Sequence, residues 1–259
     1  LGLLYGKGQG VSQDYGQAVN WHRKAAKQGY VIAQFILGAM YMDGDGVSQS
    51  YGQAVDWYRK SAEQGYADAQ FNLGVMYEKG QGVTQDYGQA VNWYRKAAEQ
   101  GNAKAQAAVG VMYMDGKGVP KDYIQAVNWY RKSAEQGNTN AQILLGGMYY
   151  NGKGVQQDYG QAVNWYHKAA EQGSASAQYM LGVMYQSGQG IQKDYVQAVN
   201  WYRKSAEQGQ ASAQFNLGVM YSNGYGVSQD YDQAVNWYRK AAEQGSADAQ
   251  YNLGLLYGK

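Results

Sequence analysis

Apolar residues along the chain recur in two alternating helical stripes, separated by short polar turns that contain glycine. Residues 66–101 show both stripes. Ala69, Leu73, Met76 and Tyr77 share one face at about 100° per residue, which predicts a first helix, helix A, ending at Gly80. Tyr87, Ala90, Val91, Tyr94, Ala97 and Ala98 share one face of a second, helix B. Asp86, with Gln89 three residues on, has the shape of a capping box at the start of helix B, and Gly101 supplies its left-handed stop. Gly80-Gln81-Gly82-Val83 reads as the connecting loop, its glycines permitting positive φ and its valine anchoring it in the core. Each such unit is an antiparallel helical hairpin. No strand-like alternation interrupts the pattern.

The hairpin repeats. Tryptophans stand at 21, 57, 93, 129, 165, 201 and 237, always 36 apart, and an Ala-Gln pair keeps the same interval from Ala33-Gln34 to Ala249-Gln250. A fixed period of this length marks a solenoid. The whole of 1–259 reads as one array: a partial unit 1–29, complete units 30–65, 66–101, 102–137, 138–173, 174–209 and 210–245, and a partial unit 246–259. Leu253–Lys259 repeats Leu1–Lys7 letter for letter, so both ends fall at one phase without the polar capping repeats that finish an array. The chain therefore reads as a segment of a longer protein, with any targeting signal either removed or lying outside it.

Three recurrent positions suggest how neighbours pack. Gly74 sits mid-helix, where it costs about 1 kcal/mol relative to Ala, and its return is close approach of helix A to another helix. Ser61, Ser133 and Ser205 alternate with Ala97 at one phase, as a crowded contact accepting only small residues would. Trp93, at the edge of the helix B stripe, is placed to span the joint to the next hairpin.

Composition narrows the chemistry. With no cysteine there is no disulfide, thiolate metal site or thiol nucleophile. No apolar run approaches the roughly 20 residues of a membrane span. The two histidines, His22 and His167, occupy different helix B phases filled elsewhere by Tyr and Arg, and no serine has a candidate base beside it. No nucleophile–base pair can be assembled, so the catalytic set is empty and no enzyme is expected. Asp43-Gly44-Asp45-Gly46 lacks the Glu of a calcium loop and is not repeated, leaving neither a metal site nor a cofactor. Net charge is +2; the 13 basic residues of the helix B pairs meet six glutamates four positions after the Arg phase and six N-cap aspartates. An interleaved, solvated face is expected there rather than a nucleic-acid stripe.

The string Ala-x-Ala-Gln-x-x-Leu-Gly-x-Met-Tyr-x-x-Gly-x-Gly-Val-x-x-Asp-Tyr-x-x-Ala-Val-x-Trp-Tyr-x-x-Ala-Ala-x-x-Gly, from Ala67 to Gly101, resembles the Sel1-like repeat, and Leu73, Gly74, Tyr77, Ala90 and Tyr94 also match the tetratricopeptide pattern. The resemblance implies an all-α, right-handed superhelical α-solenoid in a family that mostly serves as adaptors, and a bacterial periplasmic or secreted setting. One bacterial branch, cysteine-rich and linked to β-lactam binding, differs from this chain in its cysteines.

Function in a solenoid lies where the copies differ, because shared positions make the stack. By resemblance, helix A lines the concave groove. Its outward strip runs through Ile32 and Ile36, Asp68 and Asn72, Lys104 and Ala108, Asn140 and Leu144, Ser176 and Met180, and Ser212 and Asn216. Ile36, Ala108, Leu144 and Met180 depart from Asn at the second phase, which reads either as an apolar contact track or as packing between adjacent A helices. The expected function is a non-catalytic scaffold that holds a protein or peptide partner. The alternatives are a binder or hydrolase of a small molecule or cell-wall fragment, and a rigid spacer in a larger protein.

Overall fold

The structure is a computed structural model that describes residues 2–8, 10 and 12–257, the side chains of positions 3 and 257 excepted. Every element among the described residues is an α-helix. The first-type helices are α1 (Gly2–Lys7), α3 (Val31–Asp43), α5 (Ala67–Lys79), α7 (Ala103–Asp115), α9 (Thr139–Asn151), α11 (Ala175–Ser187), α13 (Ala211–Asn223) and α15 (Ala247–Tyr257). The second-type helices are α2 (Tyr15–Lys27), α4 (Tyr51–Glu63), α6 (Tyr87–Glu99), α8 (Tyr123–Glu135), α10 (Tyr159–Glu171), α12 (Tyr195–Glu207) and α14 (Tyr231–Glu243). They form two compact units, residues 1–136 and 137–259. Within each unit every helix packs on its neighbours in the chain, so the fold is an α-solenoid of helix pairs.

The boundaries follow from local chemistry. Asp86 Oδ1 accepts from the Gln89 amide at 3.0 Å, and Asp14, Asp122, Asp158, Asp194 and Asp230 cap their helices in the same way. The return bond of a capping box is not made. The Asp86 N–H instead donates to the Tyr77 carbonyl at 3.0 Å, tying the start of α6 to the last turn of α5. At the other end of α5, Gly80 takes φ +67° and its N–H closes on the Met76 carbonyl. Gly82 has a second reason to be glycine: besides φ +72°, a Cβ there would lie 2.3 Å from the Tyr51 carbonyl oxygen of the preceding pair.

The core sits between successive helices. Ala54, Val55, Tyr58 and Ala62 of α4 pack with Ala69, Leu73 and Met76 of α5, and Val83 and Trp93 close this cluster. The close approach expected at Gly74 is real: a Cβ there would stand 2.6 Å from Tyr94 Cδ1 in α6. Trp93 packs back onto the α4–α5 layer rather than forward, and Trp57 and Trp129 do likewise against the layers before them.

Candidate functional site

Most of the recurring polar residues are consumed in holding the stack. Gln70, 4% exposed, donates from Nε2 to the Ala62 carbonyl at 3.1 Å and accepts through Oε1 from Gln100 Nε2 at 2.7 Å. Gln34, Gln106, Gln178 and Gln214 repeat both bonds. The Ala-Gln signature is therefore a buried relay that links the C-terminal ends of successive second-type helices. Sequence reasoning saw the pair but not its job. Ser61, Ser133 and Ser205 are likewise more than small: each hydroxyl donates to a first-turn carbonyl thirty residues earlier, on Val31, Ala103 and Ala175.

The basic pairs are arranged differently from the expected Arg–Glu interleaving. Arg23, Arg59, Arg95 and Arg203 reach eighteen residues forward to the hydroxyls of Tyr41, Tyr77, Tyr113 and Tyr221, drawing half-buried guanidinium groups into the joint between pairs. The lysine beside each basic position lies over a tryptophan face, from Lys96 at 4.1 Å above Trp93 to Lys24 at 4.5 Å above Trp21. Cation–π geometry neutralises nothing but fixes the ammonium against the ring.

A row of buried tyrosines lies beneath the first-type helices. Tyr94 donates to Glu78 Oε2 at 2.5 Å and Tyr202 to Gln186 Oε1 at 2.6 Å. Burial pushes the Tyr58 phenol up to about 12, with a hydrogen bond to Asn72 opposing and the Asp43 charge assisting. Burial, then the bond to Glu78 and its charge, raise Tyr94 further. Asn72 and Asn216, both on the outward strip, are thus partners of Tyr58 and Tyr202 beneath them.

The strip residues divide by phase. In the first unit Ile32, Asp68 and Lys104 are exposed, whereas Ile36, Asn72 and Ala108 are half-buried, with Ile36 and Ala108 packed against the cores of their layers. In the second unit Asn140, Ser176 and Ser212 are exposed, and Leu144, Met180 and Asn216 are half-buried, with Met180 against the α10–α11 core. Asn102, whose Nδ2 donates to Asp68 at 2.8 Å, adds a polar contact to the first stretch.

His167 faces Glu171 at 3.3 Å and sits edge-on to Trp201. His22 is buried, and no described residue hydrogen-bonds to it. Among the described residues no cluster of three or more His, Cys, Asp or Glu side chains could hold a metal ion, and no helix is long and apolar enough to cross a membrane.

Comparison with known proteins agrees with this architecture. The Sel1 repeat model matches residues 1–30, 31–66, 67–102, 103–138, 139–174, 175–210, 211–246 and 247–259. Among curated proteins no sequence matches the chain. A protective antigen present in uropathogenic Escherichia coli strains, displaying an SLR fold, is 45% identical and superposes with a TM-score of 0.97 over 100% of this chain; the chain spans 56% of that protein's length. A Sel1 repeat protein from Oxalobacter formigenes is 36% identical with a TM-score of 0.83, covering 98% of this chain and 74% of that one. With matched repeats along its entire length and a helix-pair stack held by the repeated residues, the chain belongs to the Sel1 repeat family.

Proposed function

We propose that the chain is a non-catalytic interaction scaffold that holds a peptide or partner protein along the outward strip of its first-type helices. The carrying observation is the division between positions. Residues that make the stack are buried and nearly identical between copies, whereas the exposed phase changes from Ile32 to Asp68 to Lys104 in the first unit. Such variation is not required for stacking, and a repeat array is free to vary where it meets something else. In the second unit, half-buried Leu144 and Met180 between exposed Asn140 and Ser176 supply apolar contact framed by hydrogen-bonding groups. That combination suits a segment with apolar anchors and a free backbone.

The test takes a partner recovered with the unaltered chain and measures its affinity for the Leu144→Asn, Met180→Asn double variant. Loss of two anchors worth more than ~1 kcal/mol each weakens binding about tenfold or more, with helical circular dichroism unchanged. Unaltered affinity overturns the assignment.

A further inference from the structure

The outward strip of the second unit is interrupted at Gly147. At that phase α3, α5, α7, α11 and α13 carry Ala39, Val75, Val111, Val183 and Val219. Val75, Val183 and Val219 pack against the clusters that hold Tyr94, Tyr202 and Tyr238, the buried tyrosines of the helices that follow. Gly147 gives Tyr166 of α10 no such cover. A Cβ at Gly147 would stand 3.6 Å from the Tyr166 hydroxyl, an ordinary contact, whereas one on Gly146 would fall 2.9 Å from the ring. Packing on α10 thus requires Gly146 and does not require Gly147. Glycine is a poorer helix former than valine, so its use at 147 weakens α9 with no return from α10.

The hydroxyl beneath Gly147 also departs from its counterparts. Tyr94 and Tyr202 donate to Glu78 and Gln186, sixteen residues earlier, and Tyr238 bonds to Ser222 at the same phase. For Tyr166 that residue is Tyr150, whose own hydroxyl donates to Gln189 Oε1 at 3.0 Å and whose ring sits edge-on to Tyr159. Tyr58 and Tyr202 bond to Asn72 and Asn216, fourteen residues later; for Tyr166 that position is Met180. Tyr166 is 3% exposed and has no hydrogen-bond partner among the described residues. Its hydroxyl is nevertheless not sealed in, because Gln81 Oε1 is the one sealed, unpartnered side-chain polar atom among those residues. It opens toward the strip, at Gly147.

On the reading that the strip holds a peptide, we propose that the notch at Gly147 receives a threonine side chain of the bound segment. The group missing from the notch is the side chain of valine, and threonine is valine with one methyl replaced by a hydroxyl. Its methyl meets Leu144, one turn before Gly147 on the same face, and Met180, which packs on the cluster containing Tyr166. Its hydroxyl accepts from the Tyr166 O–H. Burial, with the Tyr150 phenol assisting, pushes the Tyr166 phenol up to about 12, so the donor proton is in place at neutral pH. A valine would fill the space and leave the phenol unpaired. A carboxylate or ammonium would bring a charge against α9, α11 and α13, none of which contains a charged residue.

The probe is a displayed library of random peptides, selected on the intact chain, with the recovered peptides then titrated against variants. Threonine is expected at one fixed position of the selected peptides. Gly147→Val, which installs the residue of the neighbouring copies and keeps the helical circular dichroism, weakens their binding about tenfold or more by filling the notch. Tyr166→Phe weakens it about fivefold, the worth of one hydrogen bond of ~1 kcal/mol. Exchanging the peptide threonine for valine costs the same factor on the intact chain and nothing on Tyr166→Phe, because the two changes remove one bond. Selection of another residue at that position, full affinity in Gly147→Val, or additive losses in that cycle would each overturn the proposal. Peptides that need Leu144 and Met180 but not Gly147 remove the notch and leave the strip standing. Peptides that need Gly147 but tolerate Leu144→Asn with Met180→Asn remove those anchors and keep the notch, and a library without binders removes both.

Discussion

Gln70 is itself buried and makes two bonds, a buried one to the Ala62 carbonyl and a half-buried one from the amide of exposed Gln100. Its replacement by Leu keeps the volume and removes both bonds, although the Ala62 carbonyl still accepts from the Gly65 N–H and the exposed Gln100 amide still reaches the Lys96 carbonyl. Each lost hydrogen bond is worth ~1 kcal/mol net, and the two together outweigh the small transfer gain of an apolar side chain. Gln70→Leu is therefore expected to lose about 2 kcal/mol, read as a lower urea midpoint with an unchanged slope. Gln34, at the same phase one pair earlier, gives the same result if the relay is the cause. The recurrence of Ala-Gln was plain in the sequence, but its meaning was not: Gln is ordinarily a surface residue, and the bond to Gln100 spans thirty positions. The serines at 61, 133 and 205 were opaque for the same reason.

Helix ends were far more legible, because Asp and Gly act within their own turn. Asp86, Gly80 and Gly101 mark the limits of α5 and α6 with no help from distant partners. What the sequence overstated was the second half of the capping box. Since the Asp86 N–H is already satisfied by the Tyr77 carbonyl, the Gln89 side chain is not needed there. The two substitutions should therefore separate. Asp86→Ala is expected to cost ~1 kcal/mol, the usual loss of an N-cap acceptor. Gln89→Ala should be neutral or slightly stabilising, as Ala is the better helix former. Equal losses in chemical denaturation would show that Gln89 does cap. Gly82 marks the limit of this local legibility, since its clash partner, the Tyr51 carbonyl, belongs to the preceding pair.

Across the molecule, the 36-residue identity made the stack readable, while the outward strip gave positions without a common chemistry. Ile32, Asp68 and Lys104 share exposure and nothing else, so a partner's composition cannot be inverted from them. The repeated interior makes a sharper molecular prediction through its tyrosines. Tyr58, Tyr94 and Tyr130 in the first unit, and Tyr166, Tyr202 and Tyr238 in the second, all have phenols raised by burial, Tyr58 and Tyr166 to about 12. The ordinary value is 10.0, so above it an unfolded chain releases protons that the folded chain retains. Stability contributed by these phenols is whole below pH 10.0 and falls as pH rises toward about 12 for Tyr58 and Tyr166. Because the same buried ring recurs in each unit, the losses accumulate in both. Helical circular dichroism and tyrosinate absorbance, followed together through that window, should show the buried phenols ionising only as helix is lost. Ionisation of the full tyrosine complement while helicity persists would mean that the rings beneath Gly38, Gly74 and Gly110 reach solvent without unstacking, contrary to the packing that excludes a Cβ at each glycine.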